Sequence, residues 1–274
     1  MKAATAIGIA AALIGLAVGA TMEGTMITSF FNIPAAIIVF VGTFGATLAG
    51  STMEHMKARP TLYKKAISPD KPDLSAQLEV LVGFAERARR EGLLALDDEV
   101  SELDDAFTQK GLQLVVDGTD PELVREILEN EIDGMAARHH HSVAPFEKAG
   151  GLAPTLGIIG TVMGLVHVLQ NLSQPATLGP AISGAFIATL YGVASANIVF
   201  LPVANKLKLL SAEEQELRNM TLEGILAIQA GDNPRVVADK LLSFIPPSER
   251  ASDEDEAGAG AAAPAAAEPE MAAA

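Results

Sequence analysis

The chain has 274 residues, 49% of them hydrophobic but only 4% aromatic, so its apolar mass is aliphatic and too large for an ordinary water-soluble domain. The absence of cysteine excludes a disulfide framework, a thiolate metal site and a cysteine nucleophile. Nineteen Lys and Arg against 34 Asp and Glu give a net charge of −15, which leaves no basic excess for a nucleic-acid backbone, so no nucleic-acid partner is expected.

Runs free of Asp, Glu, Lys and Arg mark the long elements. Residues 3–22 form the first; after Glu23, residues 24–53 contain the second. A third uncharged stretch, residues 149–205, is divided by a polar, Pro-containing segment at 171–180. A helix of about 20 apolar residues is about 30 Å long and matches the bilayer core. The reading is therefore an all-α, polytopic membrane protein with four spans, at about 3–22, 33–53, 149–170 and 181–203. A cleaved secretory signal competes for the first span, since Lys2 precedes it and Val18-Gly19-Ala20 resembles a cleavage site. The apolar run is longer than such signals carry, and another span follows with no exported domain between them.

Basic residues set the orientation. Lys57, Arg59, Lys64 and Lys65 follow span two, Lys148 precedes span three, and Lys206 and Lys208 follow span four, whereas the turns near Glu23 and Gln174 have none. Both termini are expected in the cytoplasm. The expected organisation is a transmembrane hairpin (1–53), a cytoplasmic helical domain (54–148), a second hairpin (149–204), cytoplasmic C-terminal helices (205–247) and a disordered acidic, Ala-rich tail (248–274).

Within the 54–148 segment, Asp73 is placed to cap a helix carrying Leu74, Leu78, Leu81, Val82 and Ala85 inward, with Gly92 as its C-terminal stop. A second helix is predicted from Asp97 to Gly111, and a third from the Asp120-Pro121 cap toward span three. After span four a helix over about 205–229 ends at Gly231-Asp232-Asn233-Pro234, and a short one follows over 235–244.

Small residues recur every four positions in the spans: Gly15 and Gly19, Gly160 and Gly164, then Gly184, Ala188, Gly192 and Ala196. Such a row permits close helix packing, either within the subunit or against another chain, and a homo-oligomer is expected. The span interiors hold no Asp, Glu, Lys or Arg, although proteins that move ions usually place an ionisable group there. They offer instead Thr161, Thr189, Ser195, Asn197 and His167, with Pro154 and Pro202, each of which frees a backbone carbonyl. Residue chemistry alone leaves the two threonines open between an ion-binding role and bonding back to their own helices.

The stretch GGLAPTLGIIGTVMGLV at 150–166 and TLYG at 189–192 ahead of Pro202 resemble the A-subunit family of the bacterial flagellar stator, the MotA and PomA proteins of the MotA/TolQ/ExbB superfamily. Residues 37–49, RREGLLAL at 89–96 and DNPR at 232–235 extend the resemblance to nearly the whole chain through Pro247. It implies a pentamer in the inner membrane around a MotB- or PomB-like partner that supplies the missing intramembrane Asp, with the cytoplasmic helices turning the rotor protein FliG. It also implies that Pro154 and Pro202 serve ion-coupled motion and that Thr161 and Thr189 line the ion route. The threonine pair resembles the sodium-driven branch, whereas Asn32 stands where sodium-type members often carry Asp, so H+ and Na+ both remain open. Arg89, Arg90, Asp97, Asp98 and Glu99 match rotor-contacting charges, although Asp97 replaces the usual Glu; Arg235 is a further candidate. An ExbB- or TolQ-like energiser of another envelope machine is the alternative, but those proteins usually have three spans.

No Ser–His–acid arrangement, phosphate loop or paired-carboxylate pocket is present, so an enzyme is not expected, nor any cofactor beyond the transported ion. His139, His140 and His141 are consecutive and point around a helix, which argues against a metal site.

Overall fold

A computed structural model of the chain describes residues 4–53, 59–69, 72–247 and 250. The expected tail at 248–274 lies outside them except for Arg250. The described residues form helices and turns without strands. Three helices are long and apolar enough to cross a membrane: α1 (Ala4–Met22), the end of α7 (Pro121–Gln170) and the start of α8 (Pro175–Ala230). The fourth, α2 (Ile33–Ala49), is shorter. At 17 residues it reaches about 26 Å, the lower end of what spans a bilayer. It stops at Gly50, short of the expected Met53, where the Lys148 ammonium donates to the Gly50 carbonyl, a favourable place for a cation at a helix end.

The chain divides into two units, residues 1–72 with 133–215, and 73–132 with 216–274. In the second unit Asp73 caps α4 (Leu74–Glu91) by accepting from the Ala76 amide at 3.0 Å, and Gly92 ends it at φ 88°. The single helix expected from Asp97 to Gly111 is two: α5 (Asp97–Ser101) and α6 (Ala106–Val116). Asp105 caps α6, its carboxylate accepting from the Thr108 amide at 2.9 Å. Gly111 lies inside α6 rather than at its end; a Cβ there would stand 2.4 Å from Ile225 Cδ1, so the glycine serves close packing. Leu81, Leu96, Leu112, Leu128, Met220, Ile225 and Leu241 are all fully enclosed in one continuous core, and α9 (Pro234–Leu242) packs on α4.

A half-buried polar network runs beside that core. Arg218 donates to both oxygens of Asp105, at 2.6 and 2.8 Å, and lies 5.0 Å above the Phe107 ring. Gln77 donates to the hydroxyls of Thr108 and Thr221. Burial pushes the Asp105 carboxyl up, but hydrogen bonds from Arg218 and Thr108 outweigh it and hold the group below the usual carboxylate range.

In the first unit, α3 (Arg59–Ile67) and the juxtaposed parts of α7 and α8 bury Ala66, Val143, Phe146, Val203, Ala204 and Leu207, with Tyr63 edge-on to Phe146. Span three is the end of a continuous helix that starts at Pro121, and the helix that carries span four begins at Pro175, six residues before the expected span. The non-helical turn between spans three and four is therefore only residues 171–174. Pro175 occupies a first-turn position, where its missing N–H costs nothing, so the predicted loop shortens.

Two spans contain one wide π-helical stretch each, Ile37–Val41 in α2 and Ser195–Phe200 in α8. In α2 the buried residues are Ala35, Val39, Thr43 and Thr47. An uninterrupted α-helix would rotate such an i+4 row by about 40° per step. The wide turn offsets part of that drift and keeps the row on one face.

Candidate ion route

Spans three and four cross at a distance that only glycine permits. A Cβ on Gly192 would lie 2.4 Å from the Ala153 carbonyl, and one on Gly157 2.8 Å from the Ala188 carbonyl. The small-residue row on span four thus packs within the chain: Ala188 meets Gly160, Ala185 meets Gly164, and Gly184 lies beside Asn32. Gly15 and Gly19 of α1 face open space.

This close crossing brings Thr161 and Thr189 together. Their hydroxyls are hydrogen-bonded to each other. Thr161 Oγ1 also stands 3.1 Å from the Gly157 carbonyl and 2.9 Å from the Ala185 carbonyl, and Thr189 Oγ1 3.5 Å from Gly157. Two hydroxyls and two carbonyls therefore crowd one half-buried point with only two hydroxyl protons to share. Thr161 bonds back to its own helix at Gly157 and across to Ala185, whereas Thr189 bonds across to Gly157, so the pair ties spans three and four together.

Pro154 and Pro202 do not touch the pair. Pro154 lies inside α7, and Gly150, one turn earlier, makes room for Leu201, since a Cβ there would sit 2.5 Å from Leu201 Cδ2. Pro202 follows Leu201 and the wide Ser195–Phe200 stretch, so both prolines flank one helix contact. Each removes an amide donor from its helix. Pro145, earlier in α7, is a further interior proline not singled out by sequence.

Tyr191 is the positioning residue that the sequence reading passed over, although it stands in the TLYG motif. Its hydroxyl donates to the Phe30 carbonyl and accepts from the Asn32 amide at 3.3 Å, tying span four to the start of span two. Asn32 caps α2, its Oδ1 accepting from the Ala35 amide at 2.9 Å. Asn and Asp cap helices equally well, so the local backbone does not choose between them.

The charged candidates lie in the second unit. Arg87, not Arg89 or Arg90, engages the acidic group, donating to Glu99 at 2.6 Å and Glu91 at 3.4 Å. Its hydrogen bond to Glu99 raises its pKa further. Arg89, Arg90, Asp98 and Arg235 are exposed and make no ion pair among the described residues. Asp97 accepts from Gln113 at 3.1 Å. Glu99 is thus already occupied, while Arg89, Arg90 and Asp98 remain available.

A profile of the MotA/TolQ/ExbB proton channel family matches residues 99–220. The chain is 37% identical to motility protein A of Bacillus subtilis over 251 residues, covering 91% of this chain and 93% of that protein. It is 39% identical to motility protein A of Borreliella burgdorferi, covering 89% and 93%. The flagellar MotAB stator complex of Bacillus subtilis contains a chain that superposes with a TM-score of 0.85 at 37% identity, over 90% of this chain and 97% of that one. With its apolar helices and these relatives, the chain is a helical membrane protein and belongs to the motility protein A family of MotA/TolQ/ExbB channel subunits.

Proposed function

We propose that this chain is the A-subunit of a flagellar stator that acts with a MotB-like partner to convert cation flow across the inner membrane into torque. The observation that carries the reading is a cluster of hydroxyl and carbonyl oxygens at Thr161 and Thr189 inside spans that hold no carboxylate. Oxygen ligands without a titrating acid suit half of an ion site, and the partner's Asp completes it. Five copies surround two partner helices; the spans form a multi-pass bundle with both termini and the 54–148 segment in the cytoplasm. Arg89, Arg90, Asp97, Asp98, Glu99 and Arg235 face FliG, where complementary charge gives steering and register. The ion is H+ or Na+, and the threonine pair supports Na+. An ExbB- or TolQ-like role is less favoured, because relatives matching about nine-tenths of the chain are motility proteins.

The test is expression with its partner in a flagellated strain lacking stators. Restored swimming is expected, lost in Thr161→Val and kept in Thr161→Ser. Swimming speed across sodium concentrations, with and without a proton uncoupler, identifies the ion. A strain that assembles both subunits in its membrane and does not swim contradicts the reading.

A further inference from the structure

The first span leaves a groove that the rest of the chain does not fill. α1 touches the Ser195–Phe200 stretch of span four and the Ile27–Phe30 turn, but between these contacts it stands away from Leu190, Tyr191 and Ala194. The gap has a volume of about 610 Å³, inside the range of about 300–1,000 Å³ found for ligand pockets. No residue of α1 is buried, and a Cβ on Gly15 or Gly19 would have nothing within 4 Å. The walls are apolar apart from Glu23 at one end and the Tyr191 hydroxyl, which is committed to the Phe30 carbonyl and the Asn32 amide. Water finds no partner along such walls, so the groove suits an apolar occupant.

Length and charge identify that occupant. Ala12 and Glu23 bound the groove along α1, and at about 1.5 Å per residue they stand about 16 Å apart. One leaflet of the hydrocarbon core is about 15 Å deep, whereas a membrane helix from another chain needs about twice that length. Glu23 is the one Asp, Glu, Lys or Arg between residues 3 and 53, is exposed, and makes no ion pair among the described residues. A second copy of the chain brings no lysine or arginine to it through its spans, because residues 3–53 and 149–205 contain neither. The complementary cation therefore comes from another molecule.

We propose that the groove holds one acyl chain of a phospholipid whose headgroup ends in a primary ammonium, as in phosphatidylethanolamine, and that this ammonium donates to the Glu23 carboxylate. The tail supplies the van der Waals contacts that α1 lacks against span four. The lipid thereby seats the first span beside Tyr191, the residue that ties span four to span two. A primary ammonium forms charge-assisted hydrogen bonds that a choline headgroup cannot, and the anionic phosphatidylglycerol is repelled. The order of preference is ethanolamine, then choline, then glycerol. This inference depends on the chain lying in a membrane and not on the ion-route reading.

The experiment uses the full chain purified with its partner, delipidated in detergent, titrated with each of the three phospholipids at equal tail length and read by native mass spectrometry. The wild type is expected to half-saturate at a concentration of phosphatidylethanolamine about threefold or more below that of phosphatidylglycerol. Glu23→Gln is expected to remove this preference while keeping the tail. Gly15→Leu combined with Gly19→Leu fills the groove and is expected to cut retention of all three lipids severalfold. Equal half-saturation by the two lipids in the wild type overturns the proposal, as does full retention in the doubly substituted chain. Should that chain be missing from the membrane, an unchanged preference in Glu23→Gln overturns it. A complex that retains no phospholipid, its groove covered by a neighbouring copy, overturns it as well.

Discussion

Leu128 and Val162 are aliphatic residues of the same helix, α7, yet the first is fully enclosed and the second is 55% exposed. Leu128 belongs to the 73–132 and 216–274 unit, where apolar residues turn inward and the surface carries ion pairs such as Arg125–Glu223 and Lys240–Glu223. Burial raises the Glu223 carboxyl, but Lys240 and Arg125 reverse the shift and lower it. Val162 belongs to the other unit, whose α1 buries no residue at all. Aliphatic side chains gain little from leaving a lipid tail for a protein interior, so close backbone packing holds such spans together. The comparison teaches that the same residue types need separate rules in the two units: enclosed volume governs one, and the permitted approach of helices governs the other.

The largest way to break the comparison is Gly192→Val. Its new side chain meets the Ala153 carbonyl and forces spans three and four apart, so loss of swimming is expected, with the Thr161–Thr189 pair separated; normal motility would show that the close crossing is dispensable. Next comes Leu128→Ala, which leaves a cavity in the enclosed core and costs about 2–5 kcal/mol. Thermal unfolding of the detergent-solubilised protein measures it, and an unchanged midpoint would place Leu128 in the lipid-like regime.

A smaller effect sharpens the electrostatic side. Because the Asp105 carboxyl is held low in the folded chain, the Arg218 pair stabilises fully above about pH 4 and is lost as pH falls through the depressed native value. Partial exposure limits the pair to about 1–2 kcal/mol. The wild type should lose more of its thermal stability on acidification than Arg218→Met does; parallel losses would mean that the pair contributes nothing. The smallest effect on stability belongs to Arg87→Ala and Arg90→Glu, both exposed. Neither should move the unfolding midpoint, but Arg90→Glu should impair swimming with the membrane complex assembled, which normal motility would refute.

Much of this was legible from residue order. The charge-free runs gave the spans because lipid tolerates no unpaired charge, and Asp73, Gly92, Asp120-Pro121 and Gly231 acted as punctuation through local chemistry alone. Gly111 misled because a glycine reads as a stop in one dimension and as a close contact in three; only Ile225, over a hundred positions away, reveals which. The non-helical turn between spans three and four is shorter than residues 171–180 because Pro175 opens α8 and Pro180 is tolerated inside it. Thr161 and Thr189 stand out as polar groups inside uncharged spans and again in a family motif, but their shared hydrogen bond depends on Gly157 and Gly192, whose role needs both helices to be seen. Arg87 could not be separated from Arg89 and Arg90 by sequence, since the choice of partner depends on how α4 meets α5.

The central claim is that the chain supplies oxygens to the cation while a partner supplies the acid. Cation flux into vesicles containing the purified chain alone, compared with vesicles containing chain and partner together, tests it most directly. The account predicts flux only with the partner, abolished when the partner's intramembrane Asp becomes Asn. Equal flux through the chain alone would contradict it.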